Sequence, residues 1–266
     1  MADGTDRATH IRSEADGGTV ETLASRALGA RGSKRVSAAS LLSERFLDEL
    51  DAAVRSAASG RRAAVVADML DAGIRREDIV DFYIPEVARR MGAEWCEDGL
   101  GFADVTIGVA RLQGLLREIA AEWFDGASLE PDMPGLMVIV MADESHTLGA
   151  MVLRAQLARL DVSVKLLVGR SETEVLRSIA GGDFDAILIS AAVGEQIATL
   201  KGLVEKIRAS TERPTPIVIG GSIVTREDDI KTRTSADHAT TDPAEALKAC
   251  GLRVPHAGAR RRATAE

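Results

Sequence analysis

From about residue 134 the chain alternates short apolar runs with helix-length segments, and this alternation restricts the fold more than any other feature. The first run, LMVIVM at 136–141, is typical of a strand covered on both faces. The elements predicted after it are helix 146–160, strand 162–168, helix 172–180, strand 186–190, helix 196–210, strand 216–219, short strand 238–240 and helix 243–249. This order predicts a flavodoxin-like (Rossmann-like) α/β domain with a five-stranded parallel sheet over 134–252. Right-handed crossovers place the ligand site of such a sheet at the carboxyl ends of its strands.

The region before the sheet, residues 39–127, has a helical period throughout. Leu41, Leu42, Phe46, Leu47 and Leu50 recur at helical spacing, and helix-length segments are also predicted at 61–71, from 76, and at 102–124. Four to five antiparallel helices with short connections form a bundle. The flanking segments lack a sustained apolar period, so 1–38 is predicted to be a disordered arm and 253–266 a basic mobile tail.

Charge and cysteine content exclude several classes of function. The formal net charge is −8, so a broad basic face for direct DNA binding is not expected. Cys96 and Cys250 lie far apart and match no metal or redox spacing, which favours a reducing cytoplasm. No apolar run approaches the ~18 residues that a membrane helix needs. A soluble cytoplasmic protein without a membrane partner is therefore expected.

Three loops meet at the predicted ligand-binding edge. Asp143 to Gly149 follow the first strand, Ser190 ends the third, and Gly220, Gly221 and Ser222 follow the fourth. The first loop supplies an imidazole, the second a hydroxyl, and the third a glycine pair that lets another surface approach the backbone. Any one of these signals has an ordinary structural explanation, but their meeting at one edge favours a cofactor site.

These residues resemble the cobalamin-binding domain of methionine synthase and of corrinoid-dependent mutases. That family carries Asp-x-His-x-x-Gly, then Ser-x-Leu or Ser-x-Val, then Gly-Gly on the same loops. The resemblance implies that His146 ligates cobalt, that Ser190 hydrogen-bonds the buried nucleotide tail, and that the glycine pair makes room for it. The cofactor contacts it implies are Glu144, Ser145, Thr147, Leu148, Gly149, Ser190, Gly220, Gly221 and Ser222. The chain departs from the pattern in two places: the family aspartate is replaced by Glu144 or displaced by one residue to Asp143, and Ala192 stands where a larger apolar residue is usual.

The helical region is similar to the cap that precedes many of these domains. In that cap a tryptophan covers the upper face of the corrin, which makes Trp95 the corresponding candidate. Cobalamin photoreceptor repressors open the next helix with Glu-His, whereas this chain has Val105-Thr106. The second cobalt ligand that the histidine supplies in those repressors is therefore absent here.

The segments 105–117, 141–149 and 236–243 resemble the AerR/PpaA family, antirepressors of photosynthesis genes that respond to cobalamin or haem. The likeness runs over roughly 40–250. It implies a light-responsive, non-enzymatic regulator that binds hydroxocobalamin or photolysed adenosylcobalamin. Such a regulator restrains a CrtJ/PpsR-type repressor and reaches DNA only through that partner.

Other interpretations stay open at this point. Haem can replace cobalamin because an imidazole ligates either metal. A corrinoid carrier in methyl transfer shares the two-part plan. A phosphoacceptor receiver domain has the same fold class but needs an aspartate where Ser190 stands. Trp95 alone is also compatible with core packing, and Arg111 and Gln113 with surface or bundle roles.

Overall fold

The computed structural model describes residues 42–126, 133–142, 146–192 and 197–252. By its contacts the chain divides into Met1–Leu42 and Ser43–Glu266, and all elements described below lie in the second unit. The predicted arm at 1–38 and tail at 253–266 lie outside the described residues. Their character, and the boundaries predicted between domains, stay predictions.

The amino-terminal part is helical, as predicted. Its helices are α1 (Glu44–Arg55), α2 (Ser59–Asp71), α3 (Arg76–Asp78), α4 (Ile84–Cys96) and α5 (Phe102–Gly126). The four longer helices each bury apolar side chains, and those that are fully buried include Leu47, Leu50, Met69, Met91, Leu112 and Leu116. Gly73, at φ +84°, ends the turn after α2, where the sequence predicted a terminating glycine.

Pro85 was predicted to kink or interrupt the third helical segment. The chain instead runs from α3 into α4 through a π-helical turn, Ile79–Tyr83. Proline has no N–H and its ring crowds the carbonyl four residues earlier. A widened turn just before Pro85 accommodates both effects, so the helical path continues without a break.

The carboxyl-terminal part is a five-stranded parallel sheet with the strand order β2-β1-β3-β4-β5, the flavodoxin-like order. The strands are β1 (Gly135–Met141), β2 (Ser163–Arg170), β3 (Ala186–Ser190), β4 (Ile217–Gly220) and β5 (His238–Ala239). The principal helices are α6 (Leu148–Ala158), α7 (Glu172–Ala180), α8 (Ile197–Ser210) and α11 (Pro243–Ala249). Two short helices, α9 (Ile223–Arg226) and α10 (Ile230–Thr234), were not predicted. The predicted fold class is confirmed.

Side chains alternate between the two faces of the sheet and build one apolar layer on each. Met137, Ile139 and Ile187 pack toward α7 and α8, whereas Leu136 and Val138 pack toward α6 and α11. The inner strands β1, β3 and β4 are therefore covered on both sides, which is why they carry continuous apolar runs, whereas the edge strand β2 is partly exposed. Among the described residues, no helix is both long enough and apolar enough to cross a bilayer.

Candidate cofactor-binding site

The carboxyl edge of the sheet brings together the residues predicted to bind a cofactor. Ser190 and Gly220, the last residues of β3 and β4, are register partners on adjacent strands. His146 lies on the loop after β1 and is exposed to solvent. The helix predicted to begin at His146 begins at Leu148, so the histidine is part of the loop and not of the first helical turn.

The two glycines after β4 have a structural explanation of their own. Gly221 adopts φ +90°, and a Cβ atom there would overlap the backbone carbonyl of Ala191. A Cβ on Gly220 would lie 3.3 Å from the carbonyl oxygen of Thr240. Glycine at 221 is thus required by the approach of the chain's own backbone, whatever else binds at this edge.

Gly149 is different, because nothing lies within 4 Å of the position its Cβ would take. It sits in the first turn of α6, three residues after His146, and is exposed. Among the described residues, no side chain covers the surface at this glycine beside the histidine, which leaves room for a flat ligand to approach the helix.

The helical region extends beyond the same edge. Gln113 Nε2 donates to Thr147 Oγ1 (2.9 Å) at the start of α6, and Trp123 receives the guanidinium of Arg159 on its ring (4.5 Å) just after the end of α6. Helices α5 and α6 consequently run side by side in the same direction. The eleven residues of α5 before Gln113 span about 16 Å along the helix axis. They project past the start of α6 and past the edge that carries His146.

This projecting end carries exposed apolar side chains. Trp95 is 46% exposed, Phe102 71% and Ile107 47%, and the rings of Trp95 and Phe102 lie 6.2 Å apart. Among the described residues, only Val168 joins them as an exposed large hydrophobic side chain. An aromatic patch left uncovered at the end of a bundle indicates a binding surface. The interpretation of Trp95 as a core residue is therefore wrong.

A network of arginines holds the helices that carry this patch. Arg55 on α1 donates to Glu94 on α4, and this hydrogen bond lowers the pKa of the Glu94 carboxyl. Arg111 Nη1 donates to the carbonyls of Val54 (2.8 Å) and Arg55 (2.9 Å) at the end of α1. Of the surface and bundle roles left open for Arg111, these contacts support the bundle role. They tie both α4 and α5 to the end of α1, so the patch is carried by helices that are joined to one another.

The side chains at this edge offer few metal ligands, so they suit a metal that is already coordinated by a cofactor. Among the described residues, no group of three or more His, Cys, Asp or Glu side chains could hold a bare metal ion. Burial, followed by the charge of Asp237, raises the pKa of the Cys250 thiol to about 11, so this cysteine is protonated at neutral pH. A single exposed imidazole beside an open surface and under an aromatic patch fits an axial ligand to a macrocyclic cofactor.

The structure places the predicted site residues in different surroundings. His146, Ser190, Gly220, Gly221 and Ser222 lie on the loops and strand ends of the carboxyl edge, Gly149 lies in the first turn of α6, and Trp95 lies at the bundle end beyond that edge. Leu148 is buried, and the hydroxyl of Thr147 accepts from Gln113. Glu144 and Ser145 lie outside the described residues. The cofactor roles of all of them stay predictions.

Sequence reasoning missed the contacts that join the helical region to the sheet. The Gln113–Thr147 hydrogen bond and the Arg159–Asp81 ion pair link residues 34 and 78 positions apart. No local pattern signals either pair, since only the docking of α5 and the π-helical turn against α6 brings the partners together.

Comparison with known proteins agrees with this geometry. Residues 134–250 match the family model of the B12 binding domain. A Rhodobacter capsulatus protein described as an uncharacterized 20.5 kDa protein in the bchF-crtJ intergenic region is 34% identical over 166 residues, which are 62% of this chain and 86% of that protein. The monomethylamine corrinoid protein of Methanosarcina barkeri shares the fold, with a TM-score of 0.61 at 18% identity, covering 77% of this chain and 96% of that chain.

The fold, the edge histidine and the domain match define a protein that carries a B12-binding domain preceded by a helical region. The chain belongs to the family of the Rhodobacter capsulatus protein, and the resemblance to AerR-like cobalamin-binding proteins is confirmed.

Proposed function

We propose that this protein is a cobalamin-dependent transcriptional regulator, in which His146 would ligate the cobalt and Trp95 would cover the corrin. The observation that carries the proposal is the placement of an exposed aromatic patch beyond the one sheet edge that presents an exposed histidine. Bound alkylcobalamin would supply a cobalt–carbon bond that light can break.

The chain's own residues bind and orient the group. The imidazole of His146 would replace the cofactor's own base at cobalt, and Gly149 leaves the adjoining surface open for the corrin. Ser190, half-buried at the end of β3, is placed to hydrogen-bond a tail that enters beside the sheet. Trp95 and Phe102 would exclude water from the opposite face, since aromatic rings cover a flat macrocycle without competing for the metal.

The regulatory part of the proposal rests on the two-sided arrangement of the site. A ligand held between the bundle end and the sheet edge makes contacts that depend on how these parts are oriented. It can therefore favour one orientation and expose a surface for a partner. A CrtJ/PpsR-type repressor is the proposed partner, and DNA is reached only through it. The relative's position beside crtJ supports this choice.

The test of the cofactor is the absorbance spectrum of the full chain after incubation with hydroxocobalamin in light and gel filtration. We expect a co-eluting cobalamin spectrum that is shifted from free cofactor and is lost in His146→Ala. His238→Gln is the matched control, because His238 lies in β5 opposite Val218 and away from the proposed ligand position. If the chain retains haem stoichiometrically and no cobalamin, haem is the cofactor. If it retains neither, the proposal is refuted.

The test of regulation is the affinity for the purified repressor with and without bound cobalamin. We expect the affinity to change on loading, and His146→Ala to abolish the difference. Equal affinity in both states would refute the switch. Methyl-group turnover with a methyltransferase would instead identify a corrinoid carrier.

A further inference from the structure

A second cleft lies between α5, α6 and the edge strand β2. Its volume is about 470 Å³, within the size range of small-molecule sites. The cleft reaches Thr147 at one end, but its floor is formed by Leu166 and Val168 of β2. The proposed cobalamin contacts at Ser190 and Gly220 lie on β3 and β4, on the other side of β1, so the two sites share Thr147 but occupy different parts of the sheet.

Two arginines line this cleft, and none of the described residues that line it is acidic. Arg117 projects from α5, and Arg154 projects from α6 with its guanidinium 4.1 Å from the ring centre of Phe124. No carboxylate in the described ranges pairs with either arginine. By contrast, Arg90 and Arg159 are held by Glu44 and by Asp81, respectively. Two guanidiniums on one cleft that no described carboxylate neutralises favour an anionic ligand.

The stacking of Arg154 leaves its donors available. A guanidinium is planar, and its N–H bonds point outward in that plane. A ring against the face of the group fixes its orientation while leaving those N–H bonds directed away from the ring. Thr147 adds a further donor, because its oxygen accepts from Gln113 and its own proton is free to be donated.

The cleft also has an apolar lining. Met151 of α6 and Leu166 and Val168 of β2 supply it, and Val168 is 38% exposed although it is a strand residue. A cleft that combines guanidinium donors with aliphatic side chains suits a ligand with a charged end and an apolar body.

We propose that this cleft binds a small organic anion, a carboxylate or a phosphate ester carrying an apolar body, with Arg117 and Arg154 contacting the anionic group. This inference goes beyond the cobalamin site and does not depend on it. The ligand would bridge α5 and α6, the same pair of helices that Gln113 and Thr147 join.

Calorimetric titration of the full chain with three matched probes tests the proposal. The probes are naphthalene-2-carboxylate, 2-naphthyl phosphate and naphthalene-2-carboxamide, and comparison of the two anions identifies the preferred head group. We expect saturable binding of at least one anion, and binding about tenfold weaker or more for the neutral amide. Arg117→Gln and Arg154→Gln should each weaken anion binding by about tenfold or more.

Arg177→Gln is the control, because Arg177 is exposed on α7, which packs on the opposite face of the sheet, and its removal changes the net charge equally. It should leave the affinity within about twofold. His146→Ala should bind the anion with the affinity of the unmodified chain. Failure of the cobalamin proposal can therefore be distinguished from failure of the anion-site proposal. Arg154→Lys, which keeps the charge, replaces the glutamine variant if circular dichroism shows that the latter is unfolded. Equal affinity for acid and amide, equal weakening by Arg177→Gln, or no binding of either anion at about 5 mM would overturn the inference.

Discussion

Replacing Arg159 with alanine tests whether a single side chain joins the helical region to the sheet domain. Arg159, the residue after α6, donates through Nη2 to both carboxylate oxygens of Asp81, at 2.7 Å each. Its guanidinium also lies 4.5 Å from the ring centre of Trp123 on α5. Asp81 belongs to the π-helical turn before α4, so one side chain contacts two elements of the helical region.

The expected cost follows from the burial of the pair. Both side chains are only 17% exposed, which places the pair between surface ion pairs, worth up to about 1 kcal/mol, and buried pairs, whose disruption costs about 3–5 kcal/mol. Loss of the ring contact adds about 0.5–1 kcal/mol. We therefore expect Arg159→Ala to lower the free energy of unfolding by about 3 kcal/mol. For a domain of this size that corresponds to a fall in melting temperature of about 6–12 °C.

Urea denaturation followed by circular dichroism measures this cost, and a double-mutant cycle with Asp81→Ala isolates the pair. The coupling energy should be about 2 kcal/mol. Lys206→Ala is the control, because the Lys206–Glu172 pair has the same 2.7 Å separation but side chains that are 55% and 39% exposed. That variant should cost less than about 1 kcal/mol. If Arg159→Ala costs no more than Lys206→Ala, burial of the pair does not stabilise the junction and the reasoning fails.

Three further predictions concern the sheet and its edge. Gly221→Ala should destabilise the protein by more than about 2 kcal/mol in chemical denaturation, because Gly221 has a positive φ and its added Cβ would overlap the backbone of Ala191. Gly202→Ala is the control: Gly202 lies in open space within α8, so this substitution should stabilise the protein by about 0.5–1 kcal/mol. Similar effects of the two substitutions would contradict the prediction. Burial opposes ionisation of Asp237, but hydrogen bonds from Arg208 and from the N–H of Ile217 outweigh it and hold the pKa below its usual 3.8. The ionised carboxylate thus adds stability that is present above pH 3.8 and is lost as the pH falls through the lowered pKa. In acid titrations, the free energy by which the unmodified protein is more stable than Asp237→Asn should therefore shrink below about pH 3.8. A stability difference that does not change with pH would refute this role of Asp237. Trp95→Ala should weaken cobalamin retention at least several-fold while costing less than about 1 kcal/mol of stability, because the ring is 46% exposed; a large loss of stability would show a packing role instead.

The fold was largely predictable because it depends on periodic patterns. Continuous apolar runs identified β1 and β3, and the ends of α7 and α11 were predicted to the residue. The capping box formed by Ser171 and Glu174 accounts for the sharp start of α7. The two short helices after β4 were missed because four or five residues are too few to show a period. The start of α6 was also misplaced, since the Thr147 hydroxyl engages α5 and does not cap its own helix.

The candidate site was predictable only in part. Strand order places every loop after a parallel strand at one edge, so the meeting of His146, Ser190 and Gly220 follows from the order of elements. The role of Gly221 does not, because the backbone it accommodates, at Ala191, lies in the loop after a different strand, β3. The exposure of Trp95 was equally hidden, since an apolar residue at the end of an amphipathic helix has the same sequence whether it is covered or not.

The sequence by itself determined the helices, the parallel sheet and the edge at which a ligand would bind, because each depends on local periodicity and on the handedness of chain connections. Only the tertiary structure decided how the helical region meets the sheet. That junction depends on the side chains of Arg159 and Asp81, of Gln113 and Thr147, and on the cleft between Arg117 and Arg154. Contacts between distant segments leave no period in the sequence, because they are set by the packing of whole elements and by the few polar groups that this packing brings within hydrogen-bonding distance.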